Sequence, residues 1–422
     1  MTAPSRTRDQ PTADRSTDKD PRICMICATY PPDICGVGDN AAHLSLTLRD
    51  MGWQVSVLTS NSEKASHALL QNNGVLVRRA YSNWNFRTII KILSDIRRER
   101  YDVVHIQYTP QMFGSFSFGI AILPSLVRLL AGRPVFITFH EIYTPFINDL
   151  RQNILILLNR VKDTIILLGC SEAFVSVPKR AEHLGHLYPW KRNRLHVMPI
   201  GPNIIPERAV PNTAKNLRPQ RADLKHGLGV PEDAILLGSF GMLHIDKRYD
   251  LLLKCLRGLI DRGHHIRLLL IGPYSEEHPY FIYVKKCIDD LDLAAYIVWT
   301  GSGTPHEVSG WFSLLDIYVM TDIRGASDRK SSMLSALSHG LPVVSNRGSD
   351  TTESFVNNEN IVLLPENAED EFVAAIEKLI LAPQLRHDIG VQARSLYQRS
   401  YAWDVIANRS IEQYLDYVYG KI

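Results

Sequence analysis

Short runs of Val, Ile and Leu with no polar alternation recur along this chain, and most are followed by a segment whose apolar residues fall at helical spacing. Runs of that kind must be covered on both faces, and a parallel sheet wrapped by crossover helices does this. A first series occupies 23–30, 55–59, 75–79, 103–108, 135–138, 164–169 and 196–200, and a second occupies 235–240, 266–271, 296–300, 317–321, 343–345 and 361–364. Between them Pro202, Pro206, Pro211, Pro219 and Pro231 interrupt the pattern, which marks an interdomain linker. The expected fold is therefore α/β, with two tandem Rossmann-like, doubly wound domains facing across a cleft. The expected division is a disordered tail over 1–21, a first domain over 22–203, a linker over 204–230, a second domain over 231–390, and C-terminal helices over 391–422 that pack back toward the first domain.

Composition narrows the function. Lys plus Arg number 47 and Asp plus Glu 44, a net charge of +3. So even a balance excludes a nucleic-acid partner bound through a bulk positive field, and any anion must be held by a local group of cations. Cys24 and Cys27 are three apart on an expected strand, which sends them to opposite faces; buried thiols fit better than a zinc or redox pair. The first twenty residues are polar, of mixed charge and without an apolar core, so they do not read as a signal peptide, and the expected location is cytoplasmic. The apolar stretch 113–127 is shorter than the roughly 20 residues a bilayer span needs and reads as a buried crossover helix.

Two helical faces can be read directly. Ala41, Leu44, Leu48 and Met51 share one; Phe86, Ile89, Ile90, Leu93 and Ile96 share another. Arg87, Lys91, Arg97 and Arg98 flank the second helix, which reads first as a solvated outer face, with peripheral contact to the inner face of an anionic membrane as the alternative.

In such folds ligands bind at strand carboxyl ends, so the loops there carry the candidate chemistry. Gly36 and Gly38 lie between the first strand and a helix, where glycine lets a backbone approach a ligand and the helix start favours an anion. The third glycine and the acid of a dinucleotide fingerprint are missing. His140, in ITFHE, stands at a strand end, suited to proton transfer or to a sugar hydroxyl; His105 reads as a core residue. Gly241 follows a strand and Lys247 precedes a helix, a placement suited to a diphosphate. The densest cluster is TDIRGASDRKSS, where Gly325, Ser327, Asp328, Arg329, Lys330 and Ser331 precede a short helix carrying Ser335. Hydroxyls and two cations at a helix start suit a phosphate or the hydroxyls of a ribose and a sugar, against the alternative of a polar surface turn.

Taken in order, YPPDICGVGD, YDVVHIQYTP, ITFHE, VMPIGPN, FGMLHIDKRYDLLL, LLLIGP, VWTGSGT, LSALSHGLPVVS, Glu353 and AWDVIANRSIEQY resemble the retaining glycosyltransferases of family four, with the two-domain GT-B fold, from Arg22 to Tyr414. The resemblance implies transfer of a sugar from a nucleotide-diphosphate sugar to a glycan, a lipid-linked glycan or a small metabolite, with retained configuration, no required metal and a place in polysaccharide biosynthesis. It implies an N-terminal acceptor domain and a C-terminal nucleotide-sugar domain. The resemblance casts His140 and Lys247 as catalytic, to which the charge of its loop adds Arg329; Gly36, Gly38, Gly241, Gly272, Gly301, Ser327, Lys330, Ser331, Ser335 and Glu353 are expected to hold the donor. This chain departs from the family where Ser327 and Ser335 replace a pair of glutamates, Met242 replaces an arginine, and Cys35 replaces a loop glycine. Arg329, with Lys330, is expected to supply the cation that Met242 does not. Two other readings share the architecture: a nucleotide-sugar epimerase, and a retired transferase that only binds its ligand.

Overall fold

The computed structural model describes residues 20–63, 65, 69–81, 83–114, 118–142, 146, 148–206 and 217–419. The first sheet is built from β1 (Arg22–Cys27), β2 (Gln54–Ser60), β3 (Leu69–Asn72), β4 (Val75–Tyr81), β5 (Val103–Tyr108), β6 (Val135–Phe139), β7 (Glu172–Val175) and β8 (Leu195–Val197), in the order β3-β4-β2-β1-β5-β6-β7-β8. All pairs are parallel except β3 with β4. The second contains β9 (Ile235–Phe240), β10 (Ile266–Ile271), β11 (Ile297–Gly301), β12 (Ile317–Met320), β13 (Val343–Asn346) and β14 (Val362–Leu364), all parallel, in the order β11-β10-β9-β12-β13-β14. The architecture is thus GT-B: two Rossmann-like sheets, each reversing its strand order around its own first strand, which is where such sheets open a crevice.

Both faces of each sheet are covered, as runs without alternation require. Cys24 and Ile26 enter one core of the first domain and Ile23, Met25 and Cys27 the other, so the two cysteines do point to opposite faces, and both are free thiols. Helix Gly36–Asp50 buries Ala41, Leu44 and Leu48. The C-terminal helix Trp403–Val418 crosses back to the first domain, where Trp403, Ile406, Ala407 and Tyr414 join the core beside helix Gly36–Asp50. Its predecessor Pro383–Ser400 runs through position 391 yet packs on the second domain against helix Ser331–Ser338, so the return begins at Trp403.

Several sequence expectations change. Positions 164–169 form the last turns of helix Leu150–Gly169, not a strand; the strand is the shorter Glu172–Val175. The β-branched run mimics a strand, but Ile166 and Leu167 are buried at the same helical face as Ile156. Strand β3 has no counterpart in the sequence reading. Phe86 and Ile90 do not share the buried face of helix Phe86–Glu99; that face is Ile89, Ile92, Leu93 and Ile96. The tail over 1–21 lies outside the described residues as far as position 19, as does 207–216 of the linker, whose remainder includes helix Leu217–Gly227.

Candidate active site

At the end of β9 the chain turns through Gly241, with φ of +115°, and the neighbouring strand ends at Gly272, with φ of +129°. The Gly241 amide donates to the Ile271 carbonyl (2.9 Å) and the Gly272 amide to the Gly301 carbonyl (3.2 Å), so three glycines cap three adjacent strands. A Cβ on Gly272 would lie 2.8 Å from the Gly241 oxygen, and one on Gly241 would collide with the Lys247 amine. Glycine here is therefore a packing requirement as well as a conformational one. Lys247 folds over the strand end, its Nζ donating to the Phe240 carbonyl at 2.8 Å. Burial, assisted by the Lys330 ammonium and opposed by Asp322, lowers its pKa to about 8. Met242, at the position expected to need a replacement cation, is exposed.

The loop after β12 is organised around buried Asp322. Its carboxylate pairs with the Lys330 ammonium and accepts the Arg324 amide at 2.9 Å, while the Asn346 side chain bonds both its backbone N–H (2.9 Å) and its carbonyl (2.7 Å). The Thr321 hydroxyl donates to the Lys247 carbonyl at 2.6 Å, locking this loop to the one after β9. Gly325, with φ of +78°, packs directly on Gly348, so no side chain is admitted between the loops after β12 and β13. Arg329 then spans the cleft: Nη1 lies 3.2 Å from Asp350 Oδ2, and Nη2 donates to the carbonyl of His140 in the opposite domain at 3.3 Å. Lys179 makes a second crossing, its Nζ donating to the Ser349 carbonyl at 3.2 Å.

His140 follows β6. Its backbone N–H donates to the Tyr108 carbonyl (3.0 Å), and Nε2 lies 2.8 Å from Gln107 Oε1, which assigns the proton to Nε2. Burial, with the positive charge of Arg329, lowers its pKa to about 4, so the ring is neutral near pH 7. Gly38 sits against the β1 loop, where a Cβ would lie 2.7 Å from the Thr29 oxygen, whereas Gly36 faces open space at the helix start. Asp39, in the first turn of that helix, has its pKa raised to about 6 by burial.

The expected site residues thus fall into separate groups. His140 and Arg329 meet across the cleft; Lys247 and Lys330 flank Asp322; Gly241, Gly272 and Gly301 line one row of strand ends. Ser331 and Ser335 converge on Asn203: the Ser331 hydroxyl donates to Asn203 Oδ1 (3.0 Å), and Ser335 Oγ, also 3.2 Å from that atom, accepts the Ile204 amide at 3.2 Å. Buried Ser335 is thereby committed to the segment joining the domains. Ser327 is fully buried, and among the described residues its hydroxyl has no partner. Glu353 is exposed on a loop lining a cavity of about 410 Å³ with Arg347, Thr351 and Phe355, and among the described residues no hydrogen bond or ion pair links it to the others. Sequence reasoning missed Asp322, Asp350, Asn203 and Gln107. Asp322 and Asp350 had a signal in their closeness to the expected cations; Gln107 and Asn203 were visible only as members of the runs YDVVHIQYTP and VMPIGPN.

Two Rossmann-like sheets whose strand ends meet through Arg329 and Lys179, with cations gathered there, are the GT-B architecture. The family described as Glycosyl transferases group 1 matches residues 220–396 and that described as Glycosyltransferase Family 4 matches 34–204. This chain belongs to the group 1 glycosyltransferases and is a glycosyltransferase by activity. It is 20% identical to an alpha-monoglucosyldiacylglycerol synthase of Streptococcus pneumoniae, over 94% of this chain and 86% of the relative. A glycosyltransferase structure from Rickettsia africae superposes with a TM-score of 0.73 at 14% identity, covering 94% of this chain and 99% of that one. The Anabaena protein HepE, solved in complex with UDP and glucose, superposes with a TM-score of 0.70 at 16% identity, over 93% and 98%.

Proposed function

We propose that this enzyme moves a glycosyl group from a nucleotide-diphosphate sugar to an acceptor hydroxyl, with retained anomeric configuration, and that the donor diphosphate sits between Lys247 and the loop 321–330. The observation that carries this reading is the cation group Lys247, Lys330 and Arg329 at the ends of β9 and β12, tied by Arg329 to His140 of the facing domain. As the bond from the anomeric carbon to the diphosphate breaks, negative charge grows on the departing oxygen, and fixed cations and helix amides stabilise it without reorganising. Lys330 is held by Asp322 and Arg329 by Asp350, whereas Lys247 forms no ion pair with a carboxylate among the described residues, so Lys247 is the cation free to meet a phosphate first. Neutral His140, whose Nε2–H is taken by Gln107, offers Nδ1 as an acceptor to a sugar hydroxyl and carries no charge that would oppose the developing positive character of the anomeric carbon.

UDP is the first nucleotide to try, because HepE was solved with UDP and glucose. An acceptor hydroxyl borne on a lipid or a lipid-linked glycan is favoured by the full-length likeness to a glucosyldiacylglycerol synthase. Protein cations supply the positive charge in this scheme, so it invokes no metal. Incubation with a panel of nucleotide sugars is expected to give slow release of nucleoside diphosphate. Lys247→Ala and Arg329→Ala should each lower that rate about 10- to 100-fold, the equivalent of a charge-assisted hydrogen bond of about 1.5–3 kcal/mol. Unchanged turnover in both variants, or isomerisation of the sugar in place of its release, would overturn the assignment.

A further inference from the structure

Helix Leu150–Gly169 has two apolar faces. One packs into the core through Ile166 and Leu167, with Ile156 also buried. The other carries Leu150, Ile154, Leu157, Val161 and Leu168, all exposed, Leu150 at 79%. Offsets of 4, 7, 11 and 18 residues at about 100° per residue place these five within an arc of about 60°, a straight ridge about 27 Å long. The ridge continues onto its neighbours. Helix Gly119–Leu126 packs between helices Phe86–Glu99 and Leu150–Gly169; the π-turn that extends it exposes Leu129 (80%) and Leu130, and Phe86 and Ile90 (67%) stand out from the first. One side of the N-terminal domain therefore presents a continuous apolar surface, which folded chains rarely leave uncovered.

Its charges have one sign. Arg87, Lys91, Arg97, Arg128 and Arg151 are exposed on these same elements. The acids there are withdrawn: Asp95 is buried against Arg78 and Arg98, Asp163 is buried in the helix, and Glu99 is spent on Arg22 and Arg78. Exposed Asp149 caps the helix start, accepting the Gln152 amide. Among the described residues no helix is long and apolar enough to cross a membrane, so these side chains can enter a bilayer only from its surface.

We propose that this face, led by the ridge of helix Leu150–Gly169, docks the enzyme on an anionic lipid surface, with the apolar side chains at the acyl boundary and the flanking Arg and Lys among the headgroups. A second copy of the chain fits poorly, because a two-fold interface would bring the same basic rim against itself. The test is co-sedimentation of the full chain with vesicles of phosphatidylglycerol and phosphatidylcholine, against phosphatidylcholine alone. The protein is expected to pellet with the anionic vesicles and to be released by high salt. Ile154→Asp/Leu157→Asp/Val161→Asp should lower the bound fraction about tenfold or more, in line with the loss of three inserted apolar side chains. Arg87→Glu/Lys91→Glu/Arg97→Glu should do the same with the ridge intact; both variants should keep the circular dichroism and the rate of donor breakdown in solution. Protein left in the supernatant, or a ridge variant that pellets like the parent, overturns the membrane assignment. So does a dimer that the ridge substitutions dissolve with no vesicle binding by either form. Pelleting is read without donor, so its failure leaves the proposed donor chemistry standing.

Discussion

At Lys247 a single side chain combines charge, burial and position. Its ammonium is held by the Phe240 carbonyl at 2.8 Å, and burial near Lys330 brings its pKa to about 8. The folded-state value lies below the ordinary lysine value, so the folded chain is penalised wherever the ammonium is charged in both states; the penalty recedes as pH rises from about 8 toward 10.5. If Lys247 meets the donor diphosphate as proposed, the consequence for donor capture is the reverse, since deprotonation removes the cation. The free-enzyme profile of kcat/KM for donor breakdown should fall as pH rises through about 8. Lys247→Arg should move that limb out of range, while Lys247→Met should lower the plateau and leave no limb; an alkaline limb kept by the arginine variant would assign it to another group. The placement of Lys247 was legible, because a lysine between a strand and a helix stands at a strand end whatever its partners are. Ser335 was not: its type and position suggest ligand contact, yet its oxygen is taken by the Ile204 amide, a partner 131 positions away that no local pattern encodes.

Among the elements, the strands were the most legible part, because a run with no alternation must lie inside a parallel sheet, and twelve of the fourteen strands among the described residues announce themselves this way. The two failures differ in origin: β3 is a four-residue antiparallel edge strand with no apolar run to announce it, and β7 is displaced in the sequence reading by the helix before it. Strand β7 begins with Glu172, whose carboxylate is stabilised by His196 from β8 and by the Tyr417 hydroxyl from the C-terminal helix, so its place in the sheet depends on tertiary partners. The preceding helix ends in a β-branched run that reads as a strand until its burial is known. Glycines in the loops after strands divide as well. Gly36 and Gly272 look alike in sequence, but an added Cβ meets nothing at Gly36 and lies 2.8 Å from a carbonyl oxygen at Gly272, where φ is also +129°. Gly272→Ala should therefore destabilise by about 1–3 kcal/mol, through strain at a backbone conformation closed to alanine. Gly36→Ala should stay within about 0.5 kcal/mol of the parent in urea unfolding while slowing donor breakdown, if the donor backs onto that helix start. Equal stability loss in both would show that the helix start is packed as tightly as the strand end.

For the whole molecule, the helix Trp403–Val418 makes the two domains one folding problem. Tyr414 is fully buried among Trp53, Phe136 and His105, with its hydroxyl 2.6 Å from His105 Nδ1, and Trp403 stacks on His43 while donating to the Pro202 carbonyl at 3.0 Å. Four histidines lie in such places and are held neutral chiefly by burial: His43, His105 with a pKa of about 3, and His140 and His339 at about 4. In the unfolded chain each titrates near 6.5, so below that pH the unfolded state binds more protons and stability falls as pH falls. Asp39 and Asp328 act in the opposite sense, because burial raises both to about 6 and the folded chain gains protons between pH 6 and 4. The three strongly shifted imidazoles, with His43 acting in the same direction, outnumber the two carboxyls and leave a net loss of about one to two protons, each worth up to about 1.4 kcal/mol per pH unit. Urea unfolding should show stability lower by a few kcal/mol at pH 5 than at pH 7 with an unchanged slope, and His339→Asn should flatten part of that dependence. Two of the four rings, His43 at the return helix and His140 beneath Arg329, stand where the domains meet, so acid should loosen the joint before it melts either sheet. Stability that stays level from pH 7 to pH 5 would mean that these rings are solvated or already charged in the folded enzyme.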